Sequence, residues 1–446
     1  MSNWSRPAIL ESLKIENLDV TEGFDTGVEL SGGFISFEYF ESLTSPHITA
    51  KIHFVDTGYA ILAGATQDLQ ERLGTLESSV PTLKGKELHI TINHPSDSGG
   101  GSTPNLEFNE DRPLIISDII TKVRGSKIDL IGLQLSSKYA LDNLLSDRQV
   151  DEKYGASGNE KISDVVTKIL LDKFKVSSLN ITPSKNTKIV EGKGRDPFSV
   201  ILSLAKETIP EVPANAKPGY VFYESLSGFN FRGIDDLINQ QSSFAYTNAD
   251  VATFCEASNL RILDYDVKTS TKGIKSSLIS GEKTEHITID PFSQEIKYEI
   301  SNSSLTYKLG TDTVDIENLY TTDNQFSKTI VDFINTGNSS VGIDTVTNND
   351  QTFWRTQSSF RYNSLFSRII NIVVPCNLAL RAGQILQCSF PKKTHQPELG
   401  MSDEKISGNY LIMALSHKFT SDGKTGSTTH MALIRDTDGM YQLTGE

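Results

Sequence analysis

Cysteine is scarce: the 446 residues hold three, Cys255, Cys376 and Cys388, and no two form a CxxC pair. That excludes a disulfide framework and a cysteine-ligated zinc site, and free buried thiols are the expected state. Cys376 and Cys388 flank a turn between two strand-like runs and are the one pair that could approach. The eight histidines never recur at i, i+2 or i+4, so a zinc-binding helix is absent. No Gly-x-Ser-x-Gly elbow appears. No apolar run approaches the ~20 residues of a membrane span, and Met1-Ser-Asn-Trp4 opens no basic-then-apolar signal. Positive charge is in deficit, with 42 Lys and Arg against 56 Asp and Glu, a net charge of -14. This argues against a protein that works by neutralising phosphates, yet suits a surface that nucleic acid slides past.

What is present is a folded, multi-domain chain. Hydrophobic residues make up 37% and charged residues 22%, without long charge blocks, so global disorder is excluded. The length implies two to four domains. Up to about residue 138 the pattern is antiparallel β. Ile35, Phe37 and Tyr39 alternate with Ser36 and Glu38, and Ile48, Ala50, Ile52 and Phe54 alternate with Thr49, Lys51 and His53. Leu88–Ile92, Leu114–Val123 and Ile128–Leu135 read as further strands, which together predict a barrel or sandwich.

From residue 139 to about 255 the period changes. Ile162, Val165, Val166, Ile169, Leu170 and Phe174 predict an amphipathic helix. Asp196-Pro197 predicts a capped helix start, followed by an apolar stripe of Phe198, Ile201, Leu202 and Ala205. Tyr220–Glu224 and Phe229–Arg232 form an aromatic hairpin. A second β region covers residues 256–310 and 365–446, with strands at Arg261–Val267, His286–Ile289, Glu295–Ile300, Arg368–Pro375, Gln384–Phe390, Tyr410–Phe419 and Thr429–Arg435. Between them a polar insertion, residues 311–364, is expected to hold helices at Gln325–Ile334 and Gln351–Tyr362.

The catalytic near-motifs fail on inspection. Gly423-Lys-Thr425 lacks the upstream glycine of a phosphate loop, because Lys418 stands there inside a strand. Asp436-Thr-Asp438-Gly lacks the closing glutamate of a calcium loop. Asp235-Asp236 and the alternate pair Asp264/Asp266 carry nothing that separates a glycosidase dyad from a solvated face. The rings of Tyr220, Phe222, Tyr223, Phe229 and Phe231 suit either a sugar-stacking platform or the core of their own module, and packing is the expected use. A cell-wall hydrolase and a carbohydrate-binding adhesin are therefore the alternatives to a purely structural protein, and no cofactor or metal is expected.

The strongest pattern lies near the C-terminus: Ser407-Gly-Asn-Tyr-Leu-Ile412, then His417-Lys-Phe419, then Thr428-Thr-His-Met-Ala-Leu-Ile-Arg-Asp436. In alternation, Leu411, Met413, Leu415 and Phe419 are expected on one face, opposite Ile412 and Ser416. This order of residues, with the hairpin ending in Phe229-Asn-Phe-Arg232, resembles the central baseplate hub proteins of contractile, T-even-like phage tails and the related spike-hub proteins of type VI secretion. The resemblance implies a mainly β fold of two tail-tube-like antiparallel barrels with helical and hairpin modules. It implies a non-enzymatic homotrimer in the virion baseplate, assembled in the host bacterial cytoplasm. Its partners would be the tail-tube protein, the central spike, wedge proteins and the tape-measure protein, with DNA passing through unbound. Phe34, Ser36, Glu38 and Phe40, then Thr49, Lys51 and His53, then Ile412, Ser416 and Lys418 are the candidate neighbour-contact residues.

Overall fold

The computed structural model describes residues 9–16, 28–57, 83–93, 106–125, 128–155, 160–212, 217–248, 260–269, 283–291, 294–302, 309, 328–333, 349–366, 368–392, 403, 405–421 and 427–436. It is mainly β with a few helices. The first region folds into β1 (Ile9–Glu16), β2 (Val28–Glu29), β3 (Phe34–Ser42), β4 (Thr49–Asp56), β5 (Glu87–Asn93), β6 (Leu106–Phe108), β7 (Leu114–Arg124) and β8 (Asp129–Ser137). The middle holds α1 (Lys138–Asp142), β9 (Lys153–Tyr154), α2 (Ile162–Phe174), β10 (Leu179–Ile181), β11 (Val190–Glu191), α3 (Pro197–Ala205), β12 (Tyr220–Ser225), β13 (Gly228–Gly233) and α4 (Ile234–Ile238). The last third runs β14 (Phe244–Asn248), β15 (Arg261–Ile262), β16 (Asp264–Thr269), β17 (Lys283–Asp290), β18 (Glu295–Asn302), β19 (Lys328–Phe333), α5 (Asn349–Leu365), β20 (Arg368–Pro375), β21 (Ile385–Ser389), β22 (Gly408–Thr420) and β23 (Thr428–Arg435).

The two β regions meet edge to edge rather than standing as two sheets. β22 pairs antiparallel with β3 from Ala414↔Ser42 to Thr420↔Ser36, which merges them into one 15-stranded sheet. In the second region the run 261–269 pairs with β14 through β15 and with β20 through β16, the Leu263 amide donating to the Val373 carbonyl between them. The ladders through β14, β21, β22, β23 and β20 therefore return to it, whereas among the described residues no ladder closes the first region. The inner faces share one core across the seam: Phe37 stacks on Phe419 with ring centroids 6.3 Å apart, and Tyr39 on the buried His417 at 6.0 Å. β14, inside the stretch assigned to the middle module, joins this sheet by pairing parallel with β21.

The middle module packs as its sequence predicts, with one change. All six named apolar residues of α2 are buried. Asp196 caps α3, its Oδ2 accepting from the Ser199 amide at 3.0 Å. The stripe on α3 is Phe198, Ile201, Leu204 and Ala205, with Leu202 exposed, because the helix period carries Leu202 round to solvent. Phe222, Phe229 and Phe231 are buried against Phe174, Phe198 and Tyr220. A sugar-stacking platform is therefore excluded for these rings, since their faces are covered by their own module.

The insertion differs from expectation. The predicted helix at Gln325–Ile334 is the strand β19, which pairs parallel with β17. Alternation of Thr329, Val331 and Phe333 with Ile330 and Asp332 suits either period over so short a run. β17 and β18, assigned to the second barrel, leave it and form a separate three-stranded sheet with β19. The expected helix at Gln351–Tyr362 is α5, which clamps onto the middle module. Arg361 pairs with Asp235, both buried, and donates to the carbonyls of Lys217 at 2.6 Å and Pro218 at 3.0 Å. Ser358 Oγ donates to the Lys206 carbonyl at 2.5 Å, and Arg355 Nε to Glu207 Oε1 at 2.7 Å. Cys376 and Cys388 are free and buried, burial pushing each thiol up to about 12, and Cys255 lies outside the described residues.

One prediction follows from the Arg361–Asp235 pair. Arg361→Ala leaves a buried carboxylate without its partner and is expected to cost about 3–5 kcal/mol. Urea unfolding monitored by circular dichroism measures it, and a loss below 1 kcal/mol contradicts the clamp.

Candidate functional site

Along β3 the pleat sends Phe37, Tyr39 and Glu41 to the core and Ser36, Glu38 and Phe40 to the other face. Ladder partners extend that second face sideways. Glu38 lies between Lys51 of β4 and Lys418 of β22, and Phe40 lies between Thr49 and Ser416. Ser36 lies beside His53, its Oγ 3.3 Å from His53 Nδ1. The Ser416 hydroxyl donates to Glu38 at 2.8 Å, and the Lys51 ammonium sits 5.6 Å from the Phe40 ring centroid. Further across, Ser416 pairs with His430 of β23, and Asn371 of β20 with Asp266 of β16. Burial, with Lys418 alongside and Glu38 opposing, lowers the His430 pKa from the ordinary histidine value. A depression of about 430 Å³ opens here, between Phe40, Asp264, Asp266, Asn371, Ser416 and His430.

Eight of the ten predicted contact residues thus share one face, and two are corrected. Ile412 is fully buried in the main core with Tyr410 and Leu433. A β-bulge between Ile412 and Ala414 sets two residues of β22 against one of β23 and exchanges the faces. For the same reason the expected row of Leu411, Met413, Leu415 and Phe419 is split. Leu411 and Met413 pack in a second cluster with Ile385 and Ile434, while Leu415 and Phe419 stay with the main core. Phe34 is the other correction. A second irregularity, between Phe34 and Ser36, turns Phe34 toward the main core and takes Ile35 out of the inner row.

The sequence reading passed over the polar junction at the end of this face. Glu41 is buried, and its Oε1 accepts from the Tyr39 hydroxyl at 2.5 Å and the Leu226 amide at 2.6 Å, while Oε2 accepts from the Ala382 amide at 3.0 Å. Those donors belong to the first β region, the aromatic hairpin and the second β region. Burial raises its pKa from the ordinary carboxylate value, opposed by Arg381 and these hydrogen bonds. Beside it the buried Glu224 accepts from the Ile48 amide at 3.1 Å and from Arg112 at 2.9 Å, and Arg112 also donates to the carbonyls of Ser225 and Leu226. Gly383, at φ +86°, lets the hairpin close in: a Cβ there would lie 2.2 Å from the Tyr223 hydroxyl. The available signal was a glutamate on the core-facing side of an alternating strand. Among the described residues no group of three or more His, Cys, Asp and Glu side chains could hold a metal, and no helix is long and apolar enough to cross a membrane.

Glu41→Ala orphans three donors, two of them backbone amides, at one stroke. The expected loss is about 3 kcal/mol, since each buried donor without a partner costs about 1–3 kcal/mol. Denaturant titration reads it, and a shift under 1 kcal/mol shows that the junction tolerates the loss.

No family model and no curated protein matches the sequence. Solved structures match the fold. A tail protein from Neisseria meningitidis MC58 superimposes with a TM-score of 0.52 at 10% identity, covering 96% of this chain and 97% of that one. The 43 kDa tail protein of prophage MuSo2 from Shewanella oneidensis gives 0.49 at 10% identity, over 96% and 98%. An E. coli component of the type VI secretion system, described as structurally similar to T4 bacteriophage tail proteins, gives 0.44 at 12% identity, over 97% and 80%. At these identities likeness speaks for fold alone, and the first match, nearly complete on both chains, shows that this chain has the fold of a tail protein.

Proposed function

We propose that the chain is the hub of a contractile-tail baseplate, a non-enzymatic homotrimer that adapts the six-fold tail tube to the three-fold central spike. One observation supports this above the rest. The order β16-β20-β23-β22-β3-β4-β8-β7 is a run of eight strands, every neighbour antiparallel. An even run leaves its two end strands pointing in opposite directions, so β7 of one copy meets β16 of the next antiparallel. Beyond Leu114 and Ile115, β7 has no strand partner on its outer side among the described residues, and β16 pairs only with β20. Open edges of this kind invite another chain. Exposed apolar residues gather beside them: Ile120 and Val123 on β7, and Leu263 just before β16.

The arithmetic favours three copies over one. A closed eight-stranded barrel is filled by its own side chains. Twenty-four strands at about 4.8 Å spacing give a ring about 37 Å across even before tilt, wide enough for DNA to pass. The polar face of Ser36, Glu38, Thr49, Lys51, His53, Ser416 and Lys418 would line that channel, with Glu38 set between Lys51 and Lys418 so that the lysines form no continuous basic track for phosphates. Tube, spike, wedge and tape-measure proteins would be the partners, in a virion tail assembled in the host bacterial cytoplasm. A three-fold ring of this kind joins heterologous edges and closes.

The edges supply the test. Ile120→Lys with Val123→Lys places two charges on the open part of β7, the device that natural edges use against pairing. Wild-type protein is expected to give a three-copy mass by light scattering and a ring with a central hole in negative stain. The double variant is expected to stay monomeric and to keep its unfolding temperature within a few degrees, because both side chains are already exposed. Wild-type protein that stays monomeric, or a variant that assembles unimpaired, overturns the proposal.

A further inference from the structure

The two open edges are each blocked at one end. On its outer side β7 pairs with β5 at Leu114 and Ile115. At Ile116 the amide donates to the Lys86 carbonyl at 3.0 Å, and the carbonyl accepts from the Gly85 amide at 2.8 Å. From Ser117 on, no strand lies on that side among the described residues. At the other edge, β14 holds the run 261–269 at Arg261 and Ile262 alone. From Asp264 to Thr269 the side away from β20 has no strand beside it among the described residues. A strand joint between copies is thereby confined to residues 117–124 against residues 264–269.

The side chains on these two stretches divide by face. Asp118 lies opposite Gln134, itself opposite Lys51, and so belongs to the polar face. Ile119 lies opposite the buried Leu133 and packs half-buried on the main core. Ile120 is the extra residue of a β-bulge, which returns Thr121 to the polar face beside Gly132. On β16, Asp264, Asp266 and Lys268 alternate with Tyr265 and Val267, which pack on the main core. Asp118 and Lys268 are both exposed. Asp118 Oδ1 accepts from Lys84 at 2.5 Å and from the Ile119 amide at 2.9 Å, which leaves Oδ2 turned to no partner among the described residues.

Three physical requirements select one antiparallel register. Polar-face residues have to meet polar-face residues, because a one-residue slip exchanges the faces. Like charges directly opposite each other are destabilising, so Asp118 has to avoid Asp264 and Asp266. The joint has to stop short of Ile262, whose edge β14 already holds. Asp118 opposite Lys268 satisfies all three, ends the pairing at Asp264 and sets Ile119 opposite Val267. A shift of two residues toward the start of β16 sets Asp118 against Asp266 and drives the end of β7 onto Ile262. A shift of two the other way carries Asp118 past Thr269, where β16 ends.

We infer that β7 of one copy joins β16 of the next in this register, with Asp118 paired to Lys268 on the polar face and Ile119 against Val267 on the core side. The inference rests on the trimeric reading and fixes the joint within it. The occupant of the β7 edge is a second copy of this chain, because β16 matches that edge in direction, open length, face pattern and charge. An exposed ion pair adds little affinity. Its effect is to decide which residues meet, while the Ile119–Val267 contact carries the apolar core across the joint.

Paired cysteines in the full-length chain test the register. Directly opposed strand residues have Cβ atoms about 4.5–5.5 Å apart and diagonal ones about 7–8 Å, and a disulfide needs about 3.5–4.5 Å. Asp118→Cys with Lys268→Cys is expected to give covalently linked trimers on a non-reducing gel after mild oxidation. Asp118→Cys with Asp266→Cys is expected to stay unlinked. All four positions-by-variant combinations leave the core untouched, so unfolding temperatures are expected to match the unmodified chain. Linkage in the shifted pair, equal linkage in both, a link within one chain, or no link in protein that still forms rings in negative stain overturns the register and leaves the trimer standing. An unmodified chain that never assembles removes the trimer and the register together.

Discussion

The seam between β3 and β22 holds this molecule together. It joins segments nearly four hundred residues apart in sequence, and everything at the junction is organised around it. Two half-cores become one because Phe37 and Tyr39 meet Phe419 and His417 across the ladder. Within the seam, opposite Leu415, the chain places a charged side chain, Glu41, where burial is complete. A buried carboxylate persists only where donors surround it. The donors here come from three segments, Tyr39, Leu226 and Ala382. Forming the seam and docking the hairpin therefore satisfy the same group, which makes the three segments cooperative rather than merely adjacent.

The rest of the architecture hangs from that junction. Arg112 grips the hairpin tip through two carbonyls and Glu224, so the helical module is fixed to the first β region by charge-assisted hydrogen bonds. α5 fixes the insertion to the same module from the other side through the buried Arg361–Asp235 pair. Burying such pairs in place of apolar residues gains little stability, yet breaking them is severe. Their effect is to set relative position.

Reading the polar face as a channel lining and the edges as joints gives one account of several otherwise separate features. The face is mixed in charge, carrying Lys51 against Phe40 and Glu38 bonded to Ser416. Exposed apolar residues are spread over β7, the small three-stranded sheet, the stretch after α1 and the middle module, where Leu171, Leu202 and Val212 are exposed.

Periodicity alone located most of the strands and both major helices of the middle module, because alternation at two and at 3.6 residues reports which side meets water. The capped start at Asp196-Pro197 and the burial of the hairpin rings were equally legible, since both depend on neighbours close in sequence. What the sequence could not determine is wherever one extra residue or one distant partner decides. The bulge at Met413 moved Ile412 into the core and Leu411 out of its expected row, and single-residue slips leave no trace in composition. Lys328–Phe333 became a strand because β17 was there to pair with it. The choice of β22 as the neighbour of β3, and with it the roles of Glu41, Glu224 and Arg112, came only from the tertiary structure, because a buried charge takes its partners from whatever the fold brings within hydrogen-bond reach.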